Sequence, residues 1–111
     1  MNQENSIKNK ILNVLQNTDK YITRSSLVAK TYTADRYIRR SINELRKEGY
    51  PIISSSYKKG YKLAANENEL AQFIAENRKR ASDIYQMVEA VEKAYGEYNQ
   101  KMESRSYTSG D

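Results

Sequence analysis

Apolar residues recur at helical spacing in the first half of the chain. In residues 6–16 the aliphatic side chains fall on one face, which predicts an amphipathic helix. A second, shorter helix is predicted from Arg24 to about Lys30, because Thr23 is a suitable N-cap. Leu27 and Val28 are its expected buried residues. These two segments predict the first two helices of a small core.

A third helix is predicted over residues 33–48. Thr33 is a suitable cap for it, Asp35 in the first turn suits the helix dipole, and Gly49 ends it. Apolar side chains spaced i, i+4, i+7 give it one buried stripe: Ile38, Ile42 and Leu45. The segment is therefore expected to pack one face and to expose the opposite one.

Two short extended runs follow Pro51, at residues 52–56 and 61–63. They flank a turn that contains Gly60, which predicts a β-hairpin with Lys58 and Lys59 at or near its tip. The order is three helices and then a hairpin, within about 60 residues.

From Asn66 onward the pattern changes to one long helix. Asn66 and Glu69 have the spacing of a capping box, and no proline follows before about Asn99. Ten residues alternate in steps of four and three, a heptad seam: Leu70, Ile74, Asn77, Ala81, Ile84, Val88, Val91, Tyr95, Tyr98 and Met102. A lone helix cannot bury such a seam, so residues 66–103 are predicted to form a dimerisation coiled coil, with residues 104–111 as a flexible tail.

The alternative for this helix is that it folds back on the chain's own first half. A bend near Arg78-Lys79-Arg80 would permit this, and three apolar residues off the seam would then contact the front domain: Phe73, Tyr85 and Met87.

Charge divides the 111 residues at the same place. Residues 1–65 carry a net charge of +8 and residues 66–111 carry −3. A basic first half favours a polyanionic partner. The chain has no Cys and no His, which excludes thiol catalysis, a Ser-His-Asp triad, disulfides and His- or Cys-based metal sites. No apolar run of membrane-spanning length or secretory signal is seen, so a cytoplasmic protein without cofactor, metal or evident small-molecule ligand is expected.

The third helix concentrates its basic side chains opposite the apolar stripe. With Ile38 at 0°, Arg36, Arg40, Asn43 and Lys47 fall at about 140° to 200°, and Arg39 lies near 100°. Arg and Asn can read guanine and adenine edges, and Lys can bind phosphate. The plain alternative is a solvated basic surface. Lys8, Lys10 and Arg24 are further candidates for flanking phosphates. The predicted DNA-binding residues are Arg36, Tyr37, Arg39, Arg40, Asn43, Lys47, Lys58 and Lys59.

Residues 6–64 resemble the winged helix-turn-helix domain of biotin-repressor-type proteins. The resemblance is carried by Leu27-Val28, by the run Ile38 to Arg46, by Gly49 with Pro51-Ile52, and by the closing Lys59-Gly60-Tyr61-Lys62-Leu63. It implies DNA binding through the third helix and the wing, and no enzymatic activity. One departure is the second turn, Thr31-Tyr32-Thr33, which lacks the family's Leu-Gly pair. A different turn geometry is therefore expected there.

Together these patterns predict a mainly α fold with a small β-hairpin, in which residues 1–65 form a winged helix. The predicted function is sequence-specific binding of double-stranded DNA by a small homodimeric transcriptional regulator, a repressor that acts by promoter occlusion. The layout is also similar to that of replication terminator proteins, so a replication or mobile-element role on a phage or plasmid is an alternative. A protein-binding adaptor is the alternative of another class.

Overall fold

Four helices and one hairpin make up the fold. The computed structural model describes residues 3–55 and 57–109, with side chains described within 5–55 and 57–103. The elements are α1 (Gln3–Gln16), α2 (Arg24–Thr31), α3 (Asp35–Lys47), β1 (Ile52–Ser54), β2 (Tyr61–Leu63) and α4 (Glu67–Ser109). The predicted fold class, mainly helical with a small hairpin and a long C-terminal helix, is confirmed. The chain divides into two compact units, Met1–Ile74 and Ala75–Asp111.

The core of the first unit is built from the apolar stripes of α1, α2 and α3. Each fully buried Leu or Ile contributes about 1.5–3 kcal/mol relative to an exposed one, so this cluster holds the three helices together. Its most deeply buried members are Ile11, Leu15, Leu27, Ile38, Ile42, Leu45 and Ile52. The side of α3 opposite the stripe is thereby left to solvent.

The predicted cap of α2 is confirmed and that of α3 is wrong. Thr23 Oγ1 accepts a hydrogen bond from the Ser26 amide at 3.1 Å. By contrast, α3 begins at Asp35 and its N-cap is Ala34, which makes no side-chain capping bond. Thr33 does not cap because its side chain is buried and its hydroxyl donates to the Thr31 carbonyl at 3.1 Å.

The turn between α2 and α3 contains a tyrosine in a conformation typical of glycine. Tyr32 adopts φ 54° and ψ 39°, the left-handed conformation that glycine supplies most easily. The turn therefore contains a left-handed residue although it has no glycine. For a residue with a Cβ this conformation costs roughly 1–2 kcal/mol. The side chain of Tyr32 is 94% exposed, so no buried contact of the ring offsets that cost.

The hairpin consists of two strands, and one further residue pairs with it. The strands β1 and β2 are antiparallel, with Ile52 opposite Leu63 and Ser54 opposite Tyr61. Ile22, before α2, adds a bridge in which its amide and carbonyl both bond to Tyr61 at 2.8 Å. The hairpin is thus fixed to the chain between α1 and α2.

The helix stop predicted at Gly49 is confirmed as a Schellman motif. Gly49 has φ 106°, its amide donates to the Arg46 carbonyl, and the Tyr50 amide donates to the Leu45 carbonyl, both at 3.1 Å. The chain can then turn directly from α3 into β1.

The long helix α4 begins as predicted and ends later. Asn66 Oδ1 accepts a hydrogen bond from the Glu69 amide at 2.9 Å, and Glu69 Oε2 accepts one from the Ala65 amide at 3.1 Å. The backbone is helical to Ser109, so it includes residues 104–109 of the segment predicted as a tail, while residues 110 and 111 lie outside the described residues. Within the second unit, every residue from 81 to 98 is exposed. No helix in the described ranges is both long and apolar enough to span a membrane.

Candidate nucleic-acid interface

All eight residues predicted to bind DNA are exposed. Six lie on α3 and two lie in the turn between β1 and β2. The reason for their exposure on α3 is the helical period, which turns these positions away from Ile38, Ile42 and Leu45. Ser41, the only polar residue of α3 on the buried side, is 5% exposed. Whether the exposed residues contact DNA stays a prediction.

At the start of α3, a carboxylate is shared by two arginines. Asp35 Oδ1 lies 2.6 Å from Arg24 Nε, and Asp35 Oδ2 lies 3.4 Å from Arg39 Nε. Arg24 was a candidate for a flanking phosphate, and this ion pair holds its head against α3. Exposed ion pairs of this kind are worth only about 0–1 kcal/mol, so a phosphate can compete for either arginine.

A second carboxylate, Glu44, is shared by Lys8 and Arg40. Arg40 Nε lies 3.3 Å from Glu44 Oε1, and Lys8 Nζ lies 3.4 Å from Glu44 Oε2. Lys8 also bonds to Glu48, which is the chief reason that its pKa is raised above 10.5. The side chain of Lys8 is only 15% exposed. Lys8 is therefore engaged within the protein and is a weak candidate for a phosphate contact.

The basic face of α3 is thus less free of acids than the sequence predicts. Glu44, expected at the side of the helix, reaches Arg40 in the middle of that face. Among the described residues, Arg36 and Lys47 form no ion pair. Arg36 instead lies 4.7 Å from the centre of the Tyr37 ring and donates to the Tyr37 hydroxyl at 2.9 Å. This cation–π contact holds the guanidinium at the N-terminal end of α3.

The wing presents two exposed lysines on a turn anchored at its base. Lys58 and Lys59 precede Gly60, whose φ is 112°. A Cβ at Gly60 would lie 2.3 Å from the Ile22 carbonyl oxygen, so only glycine fits where β2 meets this segment. Ser55 Oγ accepts from the Tyr57 amide at 3.1 Å and fixes the turn's other side. The lysine heads are therefore carried by a turn with fixed ends.

Arg46 connects α3 to the wing and to the first turns of α4. Its Nε donates to the Ile52 carbonyl at 2.8 Å, and its guanidinium lies 5.7 Å from the Tyr61 ring and 5.0 Å from the Phe73 ring. Burial lowers the pKa of Arg46 below its ordinary value, and its Nη2 is buried without a hydrogen-bond partner among the residues that the structure describes. The two rings offset part of that cost. In the sequence, Arg46 is notable only as part of the family pattern. Its contacts in the structure give it a structural role.

A partly buried ion pair joins β2 to the start of α4. Lys62 Nζ lies 2.9 Å from Glu69 Oε1, and the Lys62 side chain is 8% exposed. The hydrogen bond from Lys62, followed by that from the Ala65 amide, holds the pKa of Glu69 below 4.5. The ammonium also lies 5.5 Å from the Tyr21 ring. The sequence pattern does not predict this pair, although it does show the capping-box position of Glu69.

Two exposed aromatic side chains flank the candidate interface and were not among the predicted contacts. Tyr32 lies in the turn just before α3, and Tyr57 lies beside the wing lysines with 88% of its surface exposed. For Tyr32 a signal was available in the sequence, which has a tyrosine where the family pattern has glycine. Bulky exposed rings at these positions can contact sugars or base edges at the border of a groove.

Most of the first unit is similar to a known family of domains. Residues 8–62 match a family described as an HTH domain, a region that runs from α1 to β2. No curated protein matches the chain.

Proposed function

From the winged helix-turn-helix DNA-binding domain at residues 8–62, we propose that the protein is a sequence-specific, dimeric regulator of transcription. The observation that carries the proposal is the exposed basic surface of α3, which has Arg36, Arg40, Asn43 and Lys47 opposite the buried stripe. The Gly60-to-Leu63 close of the wing supports assignment to the biotin-repressor type.

The basic side chains of α3 and the two lysines of the wing are proposed to have different tasks. Arg40 lies in the middle of the exposed face, and its guanidinium can donate two hydrogen bonds to guanine. Its partner Glu44 holds it by an exposed pair that DNA can displace, because such pairs are weak. Lys58 and Lys59 are point charges on a turn and suit phosphate. Recognition of sequence is therefore assigned to α3 and general attraction to the wing.

The test begins with selection of bound sequences from a random duplex pool. Arg40→Ala should then cost about 1–3 kcal/mol on the selected site and relax the preference at one base pair per half-site. The control is Lys58→Ala with Lys59→Ala, which should weaken selected and scrambled duplexes by similar factors. That double variant should also reduce the salt slope, which is roughly 0.9 per phosphate contacted.

Two results would count against this assignment. Equal losses on both duplexes for Arg40→Ala would make α3 an electrostatic clamp that does not read sequence. A wild-type affinity that hardly changes with salt would favour a protein-binding adaptor, because counterion release accompanies any phosphate contact.

Dimerisation is proposed to occur through the heptad seam of α4. Three aliphatic seam residues of the second unit are substantially exposed in a single chain, Ile84 at 52%, Val88 at 41% and Val91 at 58%. Burying them against a second copy removes apolar surface from water at about 25 cal/mol per Å². A dimer with two recognition helices would bind two related half-sites and, over a promoter, would exclude other proteins.

Sedimentation tests the dimer directly. Ile84→Asp with Val88→Asp should convert a dimer into a monomer, because carboxylates in the seam would be buried on both copies. Glu89→Gln, a substitution outside the seam, is the matched control and should leave the dimer intact. A wild-type chain that is monomeric at tens of micromolar contradicts the proposal and leaves the fold-back alternative.

A further inference from the structure

The direction in which two copies of α4 pair can be argued from the residues of the second unit. Such pairing rests on the proposed dimer, and its direction is decided here by seam positions 77–95. Their exposed side chains include residues of very different size, from Ala81 to Tyr95. Two directions of pairing bring different members of this set together, and they also differ in the charges brought together at the flanks of the seam.

In a parallel pair each seam residue would meet its own copy. Ala81 would face the partner's Ala81, which leaves a poorly filled layer, and Tyr95 would face the partner's Tyr95, which crowds two rings. The parallel seam would therefore have an underfilled layer at Ala81 and overfilled layers at Tyr95 and Tyr98. Both defects reduce stability, since cores tolerate neither voids nor overpacking well.

An antiparallel pair about a point between Ile84 and Val88 distributes the sizes evenly. Ile84 then faces the partner's Val88, Ala81 faces the partner's Val91, and Asn77 faces the partner's Tyr95. The small Ala81 is thus paired with a larger aliphatic side chain, and no layer contains two tyrosine rings. The layer at Asn77 also sets an amide opposite a phenolic hydroxyl, and these two groups can hydrogen-bond.

Charge at the positions beside the seam favours the same direction and fixes the register. In the antiparallel register just described, Arg78 lies beside the partner's Glu92, and twofold symmetry repeats the pair. Sliding by one heptad either way removes it: one register sets Arg78 beside the partner's Tyr85, and the other sets Arg80 beside the partner's Lys101. The parallel pair places Arg80 near the partner's Tyr85 and gives no opposite-charge pair.

We propose that a second copy of this chain docks antiparallel on residues 77–95, with Ile84 opposite the partner's Val88 and Arg78 beside the partner's Glu92. The seam's apolar surface supplies the affinity, and the size pattern with the flanking charges selects one direction and one register. Helix dipoles in opposite directions also interact favourably.

The absence of cysteine from the sequence allows a direct test by disulfide cross-linking of the full chain. Ala81→Cys and Val91→Cys chains, one carrying a size tag, are oxidised separately and as a mixture in a glutathione buffer. The antiparallel register brings these two positions together, so the mixture should yield the linked heterodimer while each variant alone links little. Ser82→Cys, outside the seam, is the control and should not link in any sample.

The possible results separate the direction from the dimer itself. Strong linking of each variant with its own copy means a parallel pair and overturns the proposal. A dimer by sedimentation that links in no combination overturns the register. A wild-type chain that sediments as a monomer overturns the dimer as well, and with it this part of the proposed function.

A charge exchange gives a second, independent measurement. Arg78→Glu alone and Glu92→Arg alone should each raise the dimer dissociation constant about tenfold at low salt, because two like-charge pairs replace two attractive ones. The two substitutions in one chain should restore it, since the attractive pairs re-form with exchanged signs. Additive weakening in the double variant would show that the two positions do not meet and would overturn the proposal.

Discussion

Gly60 offers the sharpest test of how the wing is held, because a single methyl group there would strike backbone. The added Cβ of Gly60→Ala would lie 2.3 Å from the Ile22 carbonyl oxygen and 2.9 Å from the Thr23 amide nitrogen. Neither atom is the end of a flexible side chain, so the segment before α2 has to move away from β2. That movement breaks the two 2.8 Å hydrogen bonds between Ile22 and Tyr61.

The expected magnitude follows from a comparison with Gly49, the other glycine at positive φ in the first unit. Gly49 has φ 106° and no atom within 4 Å of an added Cβ, so Gly49→Ala carries the backbone strain alone, about 1–3 kcal/mol. Gly60→Ala carries similar strain and also loses two hydrogen bonds at about 0.5–1.5 kcal/mol each. We therefore expect Gly60→Ala to lower the free energy of unfolding by about 2 kcal/mol more than Gly49→Ala.

Urea denaturation of both variants and the wild type, followed by circular dichroism at one chain concentration, measures this difference. Equal losses for the two variants would refute the reasoning, because they would mean that the contact between Ile22 and the wing contributes nothing. A loss at Gly49 larger than at Gly60 would show that the Schellman turn after α3, and not the bridge to β2, limits stability.

Two further predictions concern the turn before α3 and the ion pair at the start of α4. Tyr32→Gly should raise the free energy of unfolding or leave it unchanged, because glycine removes the strain of φ 54°, whereas Tyr32→Ala keeps that strain. Urea denaturation of the two variants measures this, and a loss of stability in the glycine variant alone would contradict it. Glu69→Gln should destabilise the protein at neutral pH, and the deficit should shrink as pH falls below 4.5 through the lowered pKa of Glu69, since the wild type then loses the charged form that Lys62 stabilises. Melts from pH 7 to pH 3 measure this, and a deficit that stays constant over the whole range would show that the charge of Glu69 does not stabilise the fold.

Much of the fold was predictable because its signals are local in sequence. The stripe of Ile38, Ile42 and Leu45 predicts both the helix and its buried face. Thr23 and Gly49 mark a helix start and a helix end through bonds that span only a few residues. The exposure of the basic face of α3 follows from the same periodicity, which is why the six candidate contacts on that helix could be chosen without a structure.

The sequence did not predict the cap of α3 or the conformation of Tyr32, because at these places the local sequence allows two structures. Thr33 and Ala34 can each precede a helix, and burial of the Thr33 side chain against the core excluded it as the cap. Tyr32 lacks the freedom of glycine, yet the packing of α2 and α3 holds it in the left-handed region. Energies of about 1–2 kcal/mol decide such cases, and propensity alone does not resolve them.

By itself the sequence determined the helices, the hairpin, the basic surface and the seam of α4, because each depends on a period or a cap that a few neighbouring residues define. Only the tertiary structure decided which charges pair between different elements. Lys8 reaches Glu48 across forty positions, Arg46 meets the rings of Tyr61 and Phe73, and Lys62 is buried beside Glu69. These contacts join different elements, two of them distant along the chain, so their partners are set by how the elements pack and no local pattern records them.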